Sequence, residues 1–161
     1  MDIVLAVAQR GEGILKLTAA PVADDEFGSA WLRGLADAMQ ATMLARSGVG
    51  IAAPQVYVSK RVIIVASRPN LRYPDAPDME AVVMVNPEIL RFSDDCLLGE
   101  EGCLSVPDQR GQVARAAQIQ LRYFTLDGVQ VVTAFSGFPA RIVQHEVDHL
   151  NGVLFVERLS T

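Results

Sequence analysis

Apolar and polar positions along this chain change period several times, and each change marks an element. Between Phe27 and Arg46, Leu32, Leu35, Ala36, Met39 and Met43 recur at three and four residues. That spacing predicts a helix with Ser29 as its N-cap. Gly48-Val49-Gly50-Ile51-Ala52-Ala53-Pro54-Gln55 is small, glycine-bearing and ends near a proline, so it reads as a loop. Arg61–Ala66 is a short β-branched run expected to form a buried strand, and Ala81–Val85 a second one, followed by a turn or bulge at Asn86-Pro87. The segment between them, Arg68–Asp78, is rich in Pro and Asp and reads as an exposed loop. Ile119, Leu121, Tyr123 and Thr125 alternate with Gln120, Arg122 and Phe124, and Asp127-Gly128 precedes Val129–Phe135. This predicts a hairpin on a type I′ turn. Gly137-Phe138-Pro139 opens a second helix that stops near Leu150, with Asn151-Gly152 beyond it, and apolar Val153–Val156 closes the chain. Strands and hairpins around two helices, without βαβ alternation or internal repeat, predict an α+β fold with mainly antiparallel sheets. No domain boundary interrupts residues 1–161, so a single domain is expected.

Composition narrows the class. A chain of 161 residues, half of them apolar and 20% charged, has enough material for one packed core and is not a disordered segment. Fourteen Lys and Arg against nineteen Asp and Glu give a net charge of −5, which argues against a phosphate-gripping nucleic-acid binder. No apolar run approaches the roughly 18 residues of a membrane helix. Ile3–Ala8 breaks at Gln9-Arg10 and has no basic residues before it, so no signal peptide is expected. These features lead us to expect a cytoplasmic protein that binds neither membrane nor nucleic acid directly. Cys96 and Cys103 are too few for a disulfide framework.

The sharpest chemical feature is His145-Glu146-Val147-Asp148-His149, which holds the only two histidines of the chain. Four residues apart on a helix, both imidazoles lie on one face and can chelate one metal ion. Glu146 stands beside them, placed to exchange a proton with a water there. Ile142, His145, Glu146, His149 and Leu150 also follow the spacing of a buried stripe, where polar groups need strong partners. A third ligand is required. Downstream the only acid is Glu157; upstream, a thiolate at Cys103 in Glu101-Gly102-Cys103-Leu104-Ser105 would complete a Cys-His-His set. A small buried cysteine is the other reading of Cys103, and spacing leaves both open. In Gly48–Gln55, the glycines permit close approach of backbone to a ligand and Gln55 offers a donor and an acceptor.

Taken together, GVGIAAPQ at 48–55, EGCLS at 101–105 and QHEVDH at 144–149 resemble the three motifs of the peptide deformylase family, in that family's order. The likeness runs from about Ile14 to Leu159 and includes Arg110-Gly111, Arg115 and Leu150–Phe155. It implies removal of the formyl group from the N-terminal formyl-methionine of nascent polypeptides, with release of formate. It also implies one divalent metal ion per chain, held by Cys103, His145 and His149. Fe²⁺ is the expected ion, and Zn²⁺, Ni²⁺ or Co²⁺ are able to occupy the same site. Glu146 is then the proton carrier, while the Gln55 side chain and the Leu104 backbone N–H are donors to the developing oxyanion. Val49, Phe138 and Ile142 are expected to form the methionine pocket, with Gly50 and Arg110 holding an extended peptide. Glu101 is expected to hydrogen-bond a ligand histidine and Asp148 to pair with Arg115, while Cys96 is a bystander.

The resemblance further implies a bacterial cytoplasmic enzyme, or the mature form of an organellar one, that acts as a monomer on ribosome-associated substrate. Three departures are visible. The helical extension of many members is not expected here, the Ala6–Gly13 segment lacks the Tyr-Pro-Asp-Pro type of opening, and Pro139 is expected to narrow or shift the pocket edge. Two rival readings use fewer of the motifs: an HExxH metallopeptidase with a downstream third ligand, and an inactive metal-stabilised domain that binds formylated peptides.

Overall fold

The structure, a computed structural model, describes residues 3–70 and 73–160. Two helices, α1 (Ala30–Ala45) and α2 (Gly137–Leu150), pack with seven strands. These are β1 (Gly50–Ala52), β2 (Val62–Ser67), β3 (Met79–Phe92), β4 (Cys96–Cys103), β5 (Val106–Ala116), β6 (Gln118–Phe124) and β7 (Gln130–Ser136). A five-stranded sheet has the order β1-β2-β3-β6-β7, and β4 and β5 form a separate two-stranded ribbon. Every pairing between these strands is antiparallel, as expected for the α+β class. No helix among the described residues is long and apolar enough to cross a membrane.

The continuous β-branched run of β2 is explained by helices on both faces of the sheet. Ile63 and Val65 pack with Ile142, Val143 and Leu150 of α2. Val62 and Ile64 pack instead with Leu32, Leu35, Met39 and Met43 of α1. A strand covered on both faces shows no polar alternation, because neither side meets water. Ser29 does cap α1, its hydroxyl accepting the Leu32 N–H at 3.1 Å.

At Asn86-Pro87 the chain bulges and does not turn: β3 continues to Phe92, and its register against β6 slips between Val85 and Glu88. Asn86 takes the left-handed φ of +50° there, while its side-chain amide bonds both the N–H and the C=O of Val22. The β6–β7 turn corrects the type I′ expectation. A type I′ turn needs two positive φ values, and only Gly128 (φ +86°) has one. Gly128 N–H donates to Thr125 O at 3.0 Å and Thr125 N–H to Val129 O at 2.9 Å, as in a longer loop closed by a left-handed glycine. Apolar Val153–Val156 leads into a short 3-10 turn, Phe155–Arg158.

The ribbon β4–β5 was not foreseen. It stands off the main sheet with much of β4 exposed, so its residues carry no two-residue burial period to read. Helix α2 also differs from the amphipathic stripe. Every residue from Ala140 to Leu150 is buried, because sheet strands, the β1 segment and β5 surround the helix. Its polar residues tolerate this only by finding partners, which the site supplies.

Candidate metal centre

Helix α2 is pinned before it presents any ligand. The Gln144 amide bonds both backbone groups of Ala116, accepting the N–H at 3.1 Å and donating to the carbonyl at 3.0 Å. Arg141 reaches from the same helix to Leu97 O and Val113 O, both at 2.8 Å, joining it to β4 and β5. One turn further on, the His145 and His149 rings stand edge to face with centroids 5.1 Å apart. Cys103, the last residue of β4, brings its Sγ to 3.3 Å from His149 Nε2. Ligand atoms of Cys103, His145 and His149 all lie within 4.8 Å of one another.

The donor set fits a divalent metal ion. One thiolate and two imidazoles leave a coordination position free for chemistry, as a catalytic site requires. His145 Nδ1 lies 2.8 Å from Glu101 Oε1, so donation to that carboxylate leaves the Nε2 lone pair for a metal. Burial disfavours the Cys103 thiolate, but the neighbouring His149 and His145 outweigh it and hold the thiol well below its usual range. Glu157, the alternative third ligand, is engaged elsewhere: its carboxylate takes Lys16 at 3.0 Å and the Leu154 N–H at 2.7 Å.

Behind the ligands runs a buried charge network. Glu101, only 2% exposed, receives Arg115 on both oxygens at 2.9 Å and Arg141 at 2.8 Å. Burial alone would raise its pKa; hydrogen bonds from Arg115 and His145 overcome that and hold it far below the ordinary carboxylate range. Arg115 also reaches Asp148 at 2.7 Å, and Asp148 takes Arg158 at 2.6 Å. Arg115, Arg141 and Gln144 support the ligands without belonging to the reacting set, and only Arg115 had been expected to pair here. An arginine three residues before a glutamine and four before the first histidine of a metal-bearing helix was the available signal for Arg141.

The cavity in front of the ligands is lined by Val49, Gly50, Gln55, Cys103, Leu104, Phe138, Ile142, His145 and Glu146, all expected at the site. Glu146 is buried, and its Oε1 has no hydrogen-bond partner among the described residues. Burial pushes its pKa up to about 7 against the opposing pull of His145 and His149. Gly50 is where a side chain cannot stand: a Cβ there would lie 2.5 Å from Glu146 Oε2 and 2.8 Å from Ile142 Cγ2. Gln55 is locked, its Oε1 accepting the Ala52 N–H at 2.9 Å and its Nε2 donating to Ser105 Oγ at 3.1 Å. That same Nε2 lies 3.5 Å from Cys103 Sγ.

Arg110, expected to hold an extended peptide, pairs its guanidinium with Glu100 at 3.2 Å and stands over the ring of Tyr73, which lines the cavity. One expectation needs correction. The loop Arg68–Asp78 is not exposed throughout, since Tyr73 lines the cavity and Ala76 is buried. Leu71 and Arg72 of that loop lie outside the described residues. Pro and Asp set its composition, but one aromatic side chain finds a partner on α2. Cys96 is exposed and lies outside this cavity.

Residues 4–161 match the family model described as Polypeptide deformylase. Peptide deformylase 2 of Shewanella oneidensis is 49% identical over 154 residues, covering 96% of this chain and 83% of that protein. Peptide deformylase 2 of a Nostoc species is 45% identical, covering 98% of this chain and 87% of its own. Among solved structures, the Met-Ala-Ser-bound class I type b peptide deformylase of Acinetobacter baumannii superposes with a TM-score of 0.97 at 73% identity. That match covers 99% of this chain and 100% of the other. The peptide deformylase of Thermotoga maritima, at 33% identity and covering 98% and 99% of the two chains, superposes with a TM-score of 0.86. Fold, motifs and likeness agree along nearly the whole length, and the chain belongs to the polypeptide deformylase family.

Proposed function

We propose that this chain removes the formyl group from the N-terminal formyl-methionine of nascent polypeptides, releasing formate, and that residues 1–161 act as one catalytic domain. The observation that carries this reading is the convergence of Cys103, His145 and His149 beside the buried, unpartnered carboxylate oxygen of Glu146. The three residues would hold one divalent ion, which the family resemblance makes Fe²⁺, with Zn²⁺, Ni²⁺ or Co²⁺ as substitutes for the same donors. Bound there, the ion supplies Lewis acidity, easing deprotonation of the attacking water and drawing charge from the formyl oxygen.

The protein's own part follows from its side chains. Glu146 accepts a proton as water oxygen bonds to the formyl carbon, and returns it to the amine as the C–N bond breaks. Formate and a free N-terminal methionine result. Burial raises the pKa of this carboxylate above the ordinary range, which brings proton uptake and return closer to balance. Gln55 Nε2, fixed by Ser105 and Ala52 at the cavity wall, and the Leu104 N–H are the donors assigned to the oxyanion. Gln55 is already held in place and needs little reorganisation, which is what makes such a donor effective. Val49, Phe138 and Ile142 give the first side chain an apolar pocket, and the Gly50 backbone offers an edge to an extended peptide.

The natural substrate in this reading is the nascent chain at the ribosome, in a bacterial cytoplasm, met by a monomeric enzyme. Formate release from formyl-Met-Ala-Ser by the metal-loaded protein tests the reaction directly. Steady turnover supports it, and no formate from fully metallated protein would contradict it.

A further inference from the structure

Tyr73 belongs to the β2–β3 connection, yet it is half-buried and lines the cavity. Its ring meets Phe138 with centroids 4.8 Å apart and planes inclined at 54°. On another side, Arg110 Cζ stands 5.0 Å from the ring centroid, a cation on an aromatic face. Arg110 is itself steadied by Glu100 at 3.2 Å. The hydroxyl is fixed as well. Register in the β4–β5 ribbon slips between Glu101 and Cys103, and the intervening Gly102 donates its N–H to Tyr73 Oη at 3.2 Å. A Cβ at Gly102 would lie 2.5 Å from Arg110 Nη1, so a side chain there would push the guanidinium from its present place over the ring.

Three contacts from three elements therefore hold one aromatic ring over a pocket whose ribbon side offers Glu101 and Gly102, neither of them apolar. The opposite walls, Val49, Phe138 and Ile142, are apolar without it. On the reading of the preceding section, we propose that Tyr73 is a specificity-determining residue whose ring completes the apolar enclosure for a long first side chain. A thioether or a linear alkyl chain gains contact with the two rings, while a methyl side chain is too short to reach both. Arg110 then serves as a positioning residue: it acts through Tyr73 and not on the peptide itself.

The test compares formyl-Met-Ala-Ser with formyl-Ala-Ala-Ser, using the metal-loaded wild type, Tyr73→Ala and Tyr73→Phe, with melting temperatures to confirm folding. Tyr73→Ala should lower the preference for the methionine peptide by about tenfold, the change lying in KM for that peptide. The alanine peptide should lose far less than the methionine peptide, and Tyr73→Phe, which keeps the ring, should keep the preference. Calorimetry with the product Met-Ala-Ser should show affinity lost in Tyr73→Ala and retained in Tyr73→Phe. Undiminished preference and affinity in a folded Tyr73→Ala, or an equal loss for both peptides, would overturn the proposal. Should the wild type release no formate from either peptide, the proposed activity fails. Calorimetry then decides Tyr73 by itself, and equal affinity of wild type and Tyr73→Ala would overturn its role.

Discussion

Glu101 Oε1 lies 2.8 Å from His145 Nδ1, and the same carboxylate takes Arg115 and Arg141 on its remaining positions. One buried acid thus orients a candidate metal ligand and is a counter-charge shared by two buried cations.

Replacing it should therefore cost twice. In Glu101→Gln the imidazole loses its anionic partner, and metal affinity should fall by about 10–100-fold in a competition titration. Arg141 loses its carboxylate partner and Arg115 is left with Asp148 alone, so stability should fall by about 3–5 kcal/mol in urea denaturation. Wild-type metal affinity in the variant would mean that the Glu101–His145 contact does not orient the ligand.

The same carboxylate predicts a pH dependence. Its pKa in the folded protein lies below the ordinary 4.5, so it contributes stability that is fully present above about that pH. That contribution is lost as pH falls from there through the folded value, because the unfolded state binds a proton that the folded state still excludes. With chelator present throughout, the stability gap between wild type and Glu101→Gln should be full at neutral pH and shrink in acid. A gap that widened on acidification would contradict the sign.

Gly50 and Glu146 share space too tightly for any Cβ between them. Gly50→Ala should displace the carboxylate and lower kcat by about 100-fold, the penalty expected of an ångström-scale misplacement. Metal content should not change, since the atoms nearest a Cβ at position 50 belong to Glu146 and Ile142 and not to a ligand. Undiminished kcat would show that Glu146 need not keep this position.

Cys103→Ser removes the only sulfur donor of the set and should reduce bound metal to well below one ion per chain after dialysis. Full retention would point to a third ligand other than Cys103, as an ordinary HExxH peptidase would have.

Much of this architecture was legible from residue patterns because the relevant burial is periodic. Helix α1 and its Ser29 cap, the β2 run and the His145–His149 spacing all follow from one-dimensional signals. The ribbon β4–β5 was not legible, since Leu97 and Leu98 are exposed side by side and give no alternation. Nor was the burial of Arg141 and Asp148 on the far sides of α2. A helix wheel shows which residues share a face, but not that other elements close over every face. Tyr73 was hidden for a related reason, because its surroundings in sequence are those of a solvent loop while its partners, Phe138 and Gly102, are distant in the chain.

The central claim is that Glu146 moves the proton while Cys103, His145 and His149 hold the ion. Formate release and metal content, measured together on wild type and Glu146→Ala with formyl-Met-Ala-Ser, test it most directly. The account predicts one ion per chain in both proteins and release abolished in the variant. Formate release at the wild-type rate by a metallated Glu146→Ala would contradict it.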